Sequence, residues 1–166
     1  RDRSGTMGEL RTSHFHGGID IKTGGVQGLA VAAAAQGYVS RIKVSGNGYG
    51  NVLYLAHPDK GTTTVYGHLQ KFRKDIARYV LQNQYQRKSF EIELFPPKDQ
   101  FVVAKGDIIG YSGNSGSSGG PHLHFEIRDA YQRPVNPLKY QFKEIRDNIA
   151  PTVQKVALKT LDIHSR

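Results

Sequence analysis

Short apolar runs, most of them rich in β-branched or aromatic residues, recur along this chain at 29–34, 38–44, 52–56, 62–66, 108–112 and 122–128, with glycine-containing turns between them. Runs of that length, bounded by turn residues, predict an all-β antiparallel sandwich or barrel rather than alternating strands and helices. Residues 127–137 continue the last run as a strand that leaves its neighbours and ends in a Pro-bounded turn. One segment breaks the pattern. Between 71 and 100, Phe72, Ile76, Val80 and Leu81 fall at helical spacing, which predicts a helix within 72–88. Pro96 and Pro97 end whatever follows it. A second stretch, 112–120, is glycine and serine with a single asparagine. It lacks the Gly-Lys-Ser/Thr ending of a phosphate-binding loop and reads as a mobile loop. Past Tyr140 the register changes: 146–151 looks like a linker and 152–163 like a strand with alternating lysines. Two readings stay open there, the opening of a further β domain and a tail that packs back. The expected division is therefore one domain over 1–140, carrying the 71–100 insertion, and a linker with a possible strand over 141–166.

Length and composition narrow the classes. A chain of 166 residues fits one ordinary domain with a sizeable core. It contains no apolar stretch near membrane-spanning length. Any export signal lies upstream of Arg1 or has been removed. With no cysteine, disulfides and thiolate ligands are excluded. Lys and Arg total 23 against 14 Asp and Glu, a formal charge of +9 that favours anionic partners: nucleic acid, acidic lipid or an anionic cell wall. No helix-turn-helix, zinc finger or ribonucleoprotein motif accompanies it, so a nucleic-acid partner is not expected.

Chemistry enters with two clusters more than a hundred residues apart. His16-Gly17-Gly18-Ile19-Asp20 and Pro121-His122-Leu123-His124-Phe125-Glu126 together offer imidazoles and a carboxylate, a donor set suited to zinc with an open position. In a strand, His122 and His124 point to one face roughly 6.5–7 Å apart, which suits one ligand with a second imidazole beside it. His16 and Asp20 would lie roughly 13 Å apart on a straight strand, too far to share an ion. Gly17-Gly18 disfavours a helix, so a bulge or turn at the glycines is the expected solution. A third element, Tyr66-Gly67-His68-Leu69, follows the β-rich run 62–65.

These three elements, in this order and with these neighbours, resemble the lysostaphin/LytM-type zinc metalloendopeptidases, which cut peptide bonds in bacterial peptidoglycan. The resemblance covers 14 to about 138 and implies a LytM-type β-sandwich, with 32–39, 48–51 and 103–110 as connecting strands and turns. It implies that His16, Asp20 and His124 bind zinc and that His68 and His122 are catalytic, flanking the water; His122 is read as general base, and the division between the two stays open. It implies a peptidoglycan peptide substrate and work outside the cytoplasm, in the periplasm or at the cell surface. Glycine bridges and D-alanine-containing cross-links both fit. The 71–100 insertion departs from the family, which usually has a short connection there, and its place directly after His68 suggests a role in substrate access. His14 shares the spacing of a ligand, but the family register selects His16. His57, before a turn, reads as structural, and His164 has no recognisable partner. Two rivals carry different consequences: a non-catalytic module that activates a wall hydrolase, against which the complete ligand set speaks, and a phosphoryl carrier with paired histidines, which has no use for Asp20 or zinc.

Overall fold

A computed structural model describes residues 3–11 and 15–140 of the chain. His14, and the linker and strand expected beyond residue 140, lie outside the described residues. Among the described residues, twelve strands and one α-helix follow in order: β1 (Arg3–Gly5), β2 (Ile19–Lys22), β3 (Ala30–Ala32), β4 (Gly37–Val44), β5 (Val52–His57), β6 (Thr62–Gly67), β7 (Leu69–Phe72), α1 (Lys74–Arg87), β8 (Ile92–Leu94), β9 (Val102–Val103), β10 (Ile108–Ser112), β11 (His122–Arg128) and β12 (Pro134–Val135). All pairings are antiparallel. The larger sheet runs β1-β2-β11-β6-β5-β4-β8, with β12 beside β11 and β9 beside β4; the smaller is β3-β10-β7.

One core lies between the two sheets. Ile19, Ile42, Leu53, Leu55 and Tyr66 of the larger sheet meet Val31, Leu69 and Ile109 of the smaller one. Complete burial of each such side chain stabilises by roughly 1.5–3 kcal/mol. On β4 the register shifts between Val39 and Arg41. This irregularity lets Val39 and Ile42, three apart, both face the core and turns Arg41 and Lys43 to the opposite face. There Val52 and Tyr54, packed with Val65 and flanked by Tyr49, floor a groove.

The expected helix forms. Ile76 and Val80, one turn apart, are its buried residues and join the core, whereas Leu81 is half exposed. Lys88 closes the helix in the left-handed conformation, its N–H donating to the carbonyls of Gln84 and Tyr85. The chain then returns as β8 against β4, and Ile92 and Leu94 complete the core. The loop at 112–120 differs from expectation, because its first half is tied down. Ser115 Oγ accepts from Asn51 N at 2.9 Å and donates to the Leu69 carbonyl at 2.9 Å, and Ser117 N donates to the Gly48 carbonyl at 2.9 Å.

Candidate metal centre

Strand pairing brings the distant clusters together. His124 on β11 lies directly opposite Asp20 on β2, so two side chains 104 residues apart become cross-strand neighbours. His16 sits just before β2, and Gly18 lets that approach happen: a Cβ there would lie 2.2 Å from the Phe125 carbonyl oxygen. The chain turns at 17–18 rather than running straight, and His16 Nε2 comes to 3.0 Å from Asp20 Oδ1. His68 follows β6 with φ +59°, the left-handed region that non-glycine residues seldom occupy. That reversal, fixed by its N–H donating to the Tyr49 carbonyl at 2.8 Å, sends its ring toward β11.

Three atoms form the heart of the site. His16 Nε2, His124 Nδ1 and Asp20 Oδ1 are mutually 3.0 Å apart, and all three residues are buried. The far side of each imidazole decides what these atoms carry. His16 Nδ1 donates to the Thr6 carbonyl at 2.9 Å, and His124 Nε2 donates to Glu126 Oε1 at 2.8 Å. With those protons outside, the two inner nitrogens present lone pairs to each other and to a carboxylate oxygen. Such a triangle calls for a cation at its centre. Tetrahedral zinc with bonds of about 2.0–2.1 Å needs donors about 3.3 Å apart, close to the spacing present. Two imidazoles and one carboxylate, each with its outer atom hydrogen-bonded, fit that ion.

Electrostatics point the same way. Burial works against the charge on Asp20, but the imidazoles of His122, His124 and His16 that face it, which donate to it whenever they carry a proton there, outweigh burial and hold the carboxyl far below its usual range. Burial disfavours a charged His124, yet Asp20 and Glu126 together raise its pKa. The centre therefore favours positive charge, which protons or a metal ion can supply.

Around the triangle stand the other two histidines singled out in the sequence. His122 Nε2 is 3.4 Å from Asp20 Oδ1, and its Nδ1 donates to the Gly120 carbonyl at 2.8 Å. The hydrogen bond to Asp20 is the main cause of its raised pKa. His68 Nδ1 donates to the Ser115 carbonyl at 2.8 Å, and its ring lies 4.7 Å from that of His122. Burial lowers its pKa to about 4, so it is neutral near pH 7. In both rings the outer N–H is spoken for; His68 Nε2 is left to the groove, and His122 Nε2 stands at its edge beside Asp20. His57 is elsewhere, buried between the Gln36 carbonyl and Thr64 Oγ1.

Four supporting residues were not picked out from the sequence. Glu126 is fully buried and accepts from His124, from the Tyr49 hydroxyl and from Arg128 Nε at 2.7 Å. Tyr49 also stacks on the His124 ring, with centroids 4.9 Å apart. Arg11 Nη2 donates to Asp20 Oδ2 at 2.7 Å, which leaves Oδ1 to the histidines.

The model for Peptidase family M23 matches residues 14–85 and 94–137. The DD-carboxypeptidase/endopeptidase Mpg of Neisseria meningitidis serogroup B is 34% identical over 129 residues, which is 78% of this chain and 23% of that protein. This chain thus spans under a quarter of the length of the curated relatives it matches. Among solved structures, a point mutant of the catalytic domain of EnpA, a prophage-encoded M23 protein from Enterococcus faecalis, superposes with a TM-score of 0.59 at 26% identity, covering 84% of this chain and 91% of that one. The catalytic domain of lysostaphin from Staphylococcus simulans shares the fold, with a TM-score of 0.59 at 23% identity over 83% of this chain and 90% of its own.

Proposed function

This chain belongs to peptidase family M23, of the LytM/lysostaphin type, and on that premise we propose that it is a zinc-dependent endopeptidase acting on stem or cross-link peptide bonds of bacterial peptidoglycan, outside the cytoplasm. One observation carries the reading: three lone-pair donors, on His16, Asp20 and His124, meet at 3.0 Å on the wall of an open groove where two more imidazoles wait. The name of the Neisseria relative, DD-carboxypeptidase/endopeptidase, supports an endopeptidase. No helix among the described residues is long and apolar enough to cross a membrane.

Zinc held by His16, Asp20 and His124 would supply Lewis acidity toward a peptide carbonyl and acidify water enough for it to react near neutral pH. The chain's own groups handle protons and position. His122, with its Nδ1–H fixed on Gly120, offers Nε2 as proton acceptor beside Asp20. His68, with its Nδ1–H fixed on Ser115, offers a second Nε2 across from it, placed to orient the attacking oxygen or, once protonated, to serve the leaving amine. Acid–base steps of this kind contribute about 10²–10⁴-fold each. Glu126 and Thr6 hold the ligand rings in the tautomers that face the centre.

Metal analysis combined with a digest of purified sacculi tests the proposal. One zinc per chain and new peptide termini by mass spectrometry are expected. His16→Ala, Asp20→Ala and His124→Ala should lose the metal while staying folded; His68→Ala and His122→Ala should keep it and lose about 10²-fold or more in rate. Stoichiometric zinc in the His124→Ala protein would overturn the ligand assignment. New reducing ends without new peptide termini would indicate a glycan-cutting enzyme, and binding without cleavage a silent module.

A further inference from the structure

The groove does not end at the histidines. It encloses about 800 Å³ and continues over Val52 and Tyr54 of β5 to Arg41 and Lys43 of β4. In the strand order β11-β6-β5-β4, this far wall stands three strand spacings from His124, about 14 Å at 4.7–4.9 Å each. An extended peptide covers that span in about four residues. Among the described residues lining the groove, Asp20 is the only carboxylate, and it belongs to the metal centre.

The far wall is built rather than incidental. The Arg41 guanidinium lies 4.5 Å from the centroid of the Tyr54 ring, and Arg128 lies 5.6 Å from the same ring. Glu93 on β8 takes Arg41 Nε and Nη2 on one oxygen, both at 2.5 Å, and stands opposite Lys43 in the strand register. A single glutamate thus faces two cations, leaving positive charge in surplus. Its neighbour Glu91 is spent on the turn at the groove's edge, accepting from Gly46 N and Ser45 Oγ. Both glutamates fall within 86–93, the stretch at which the match to the family is interrupted. The glutamates that brace this wall thus lie outside the matched segments, while Arg41, Lys43 and Tyr54 lie within them.

On the reading of the chain as a peptidase, we propose that Arg41 and Lys43 form a subsite for a carboxylate of the peptide substrate about four residues from the bond that is cut, with Glu93 as the positioning residue that holds Arg41. Charge-assisted hydrogen bonds at such a partly exposed site correspond to about a tenfold preference.

The test compares two synthetic cross-linked stem peptides of one sequence, with the carboxylates beyond the scissile bond either free or amidated. The wild-type protein should cleave the free acid about tenfold better in kcat/KM, through KM. In the Arg41→Gln/Lys43→Gln double variant that preference should vanish by loss on the acid peptide alone, with zinc content and cleavage of the amide peptide unchanged. Lys43→Gln by itself, which leaves the Arg41–Tyr54 stack in place, should show an intermediate preference, as should Glu93→Gln. Equal cleavage of both peptides by wild type, or a preference that survives in the double variant, overturns the subsite. Should wild type cleave neither, the peptidase reading fails instead, and equilibrium binding of the same two peptides decides. Tighter binding of the acid that the double variant abolishes supports the subsite, and equal binding overturns it.

Discussion

Replacing Glu126 by glutamine keeps the shape of the side chain and removes its charge at the best-connected point behind the metal centre. The carboxylate is fully buried and takes three donors: His124 Nε2–H at 2.8 Å and the Tyr49 hydroxyl on Oε1, and Arg128 Nε–H at 2.7 Å on Oε2. Burial alone would raise its pKa, but these donors hold it at about 2, so the group is ionised at any working pH. Glutamine has one acceptor oxygen and an NH₂. If the oxygen faces His124, the NH₂ meets the Arg128 N–H, donor against donor. If the amide flips, the NH₂ meets His124 Nε2–H, and relief requires the ring to move its proton to Nδ1. That proton would then sit inside the triangle and take His124 out of the ligand set. Loss of such an outer carboxylate typically weakens metal binding 10–100-fold, about 1.4–2.7 kcal/mol. Leaving a buried charge without its partner costs about 3–5 kcal/mol. Arg128 keeps the Tyr54 ring and some contact with water, which places the stability loss toward the lower end. Competition against a chromophoric chelator measures the first effect, and urea unfolding of the metal-free protein the second. A Glu126→Gln protein that binds zinc within about twofold of wild type would refute the reasoning, since Glu126 would then be a core residue without influence on the ligand.

Gly18→Ala should destabilise the chain by about 1–3 kcal/mol in urea unfolding, because its Cβ would press on the Phe125 carbonyl oxygen at 2.2 Å and drive β2 from β11; a wild-type midpoint would mean that the strands yield more easily than argued. His57 tests the linkage between burial and pH away from the metal centre. Burial lowers its pKa below 6.5, so under mildly acidic conditions the unfolded chain binds the proton that the folded chain refuses, and stability falls as pH drops below about 6.5. Between pH 7.5 and 5.5 the wild-type unfolding free energy should therefore fall further than that of His57→Gln; equal losses in the two proteins would assign the pH dependence to other groups.

Strands were legible in the sequence where their residues were apolar enough to be buried on their own account. The six β-rich runs all became strands, with ends moved by at most a few residues. Among the shorter strands, β1, β2, β7 and β8 escaped. Ile19–Lys22 carries Asp20 and Lys22 and begins beside two glycines, so nothing local marks it; it is a strand by its pairing with β11, which sets Asp20 opposite His124. The loop at 112–120 read as mobile from its glycines and serines alone. Its anchors, Gly48 and Asn51, lie more than sixty residues away, and no local pattern can announce a hydrogen bond of that range.

Within the site, the difference between what was seen and what was missed follows strand periodicity. His122, His124, Glu126 and Arg128 stand two apart on β11 and share one face, so the pattern that drew attention to the two histidines extends to the acid and base behind them. Glu126 lay inside the motif already singled out, and a polar residue continuing a ligand face on a strand this buried was the available signal. Tyr49 and Arg11 had none: each reaches the centre through the meeting of separate segments, at β11 and at β2. The 71–100 segment shows the same limit from the other side. Its helical spacing was plain, but its weight in the fold was not, because Ile76, Val80, Ile92 and Leu94 all enter the common core, and β8 lengthens the sheet that carries the groove. Cutting this segment out would expose that core, so its influence on substrate is better probed through Arg41, Lys43 and Glu93, whose side chains can change while the core stays closed.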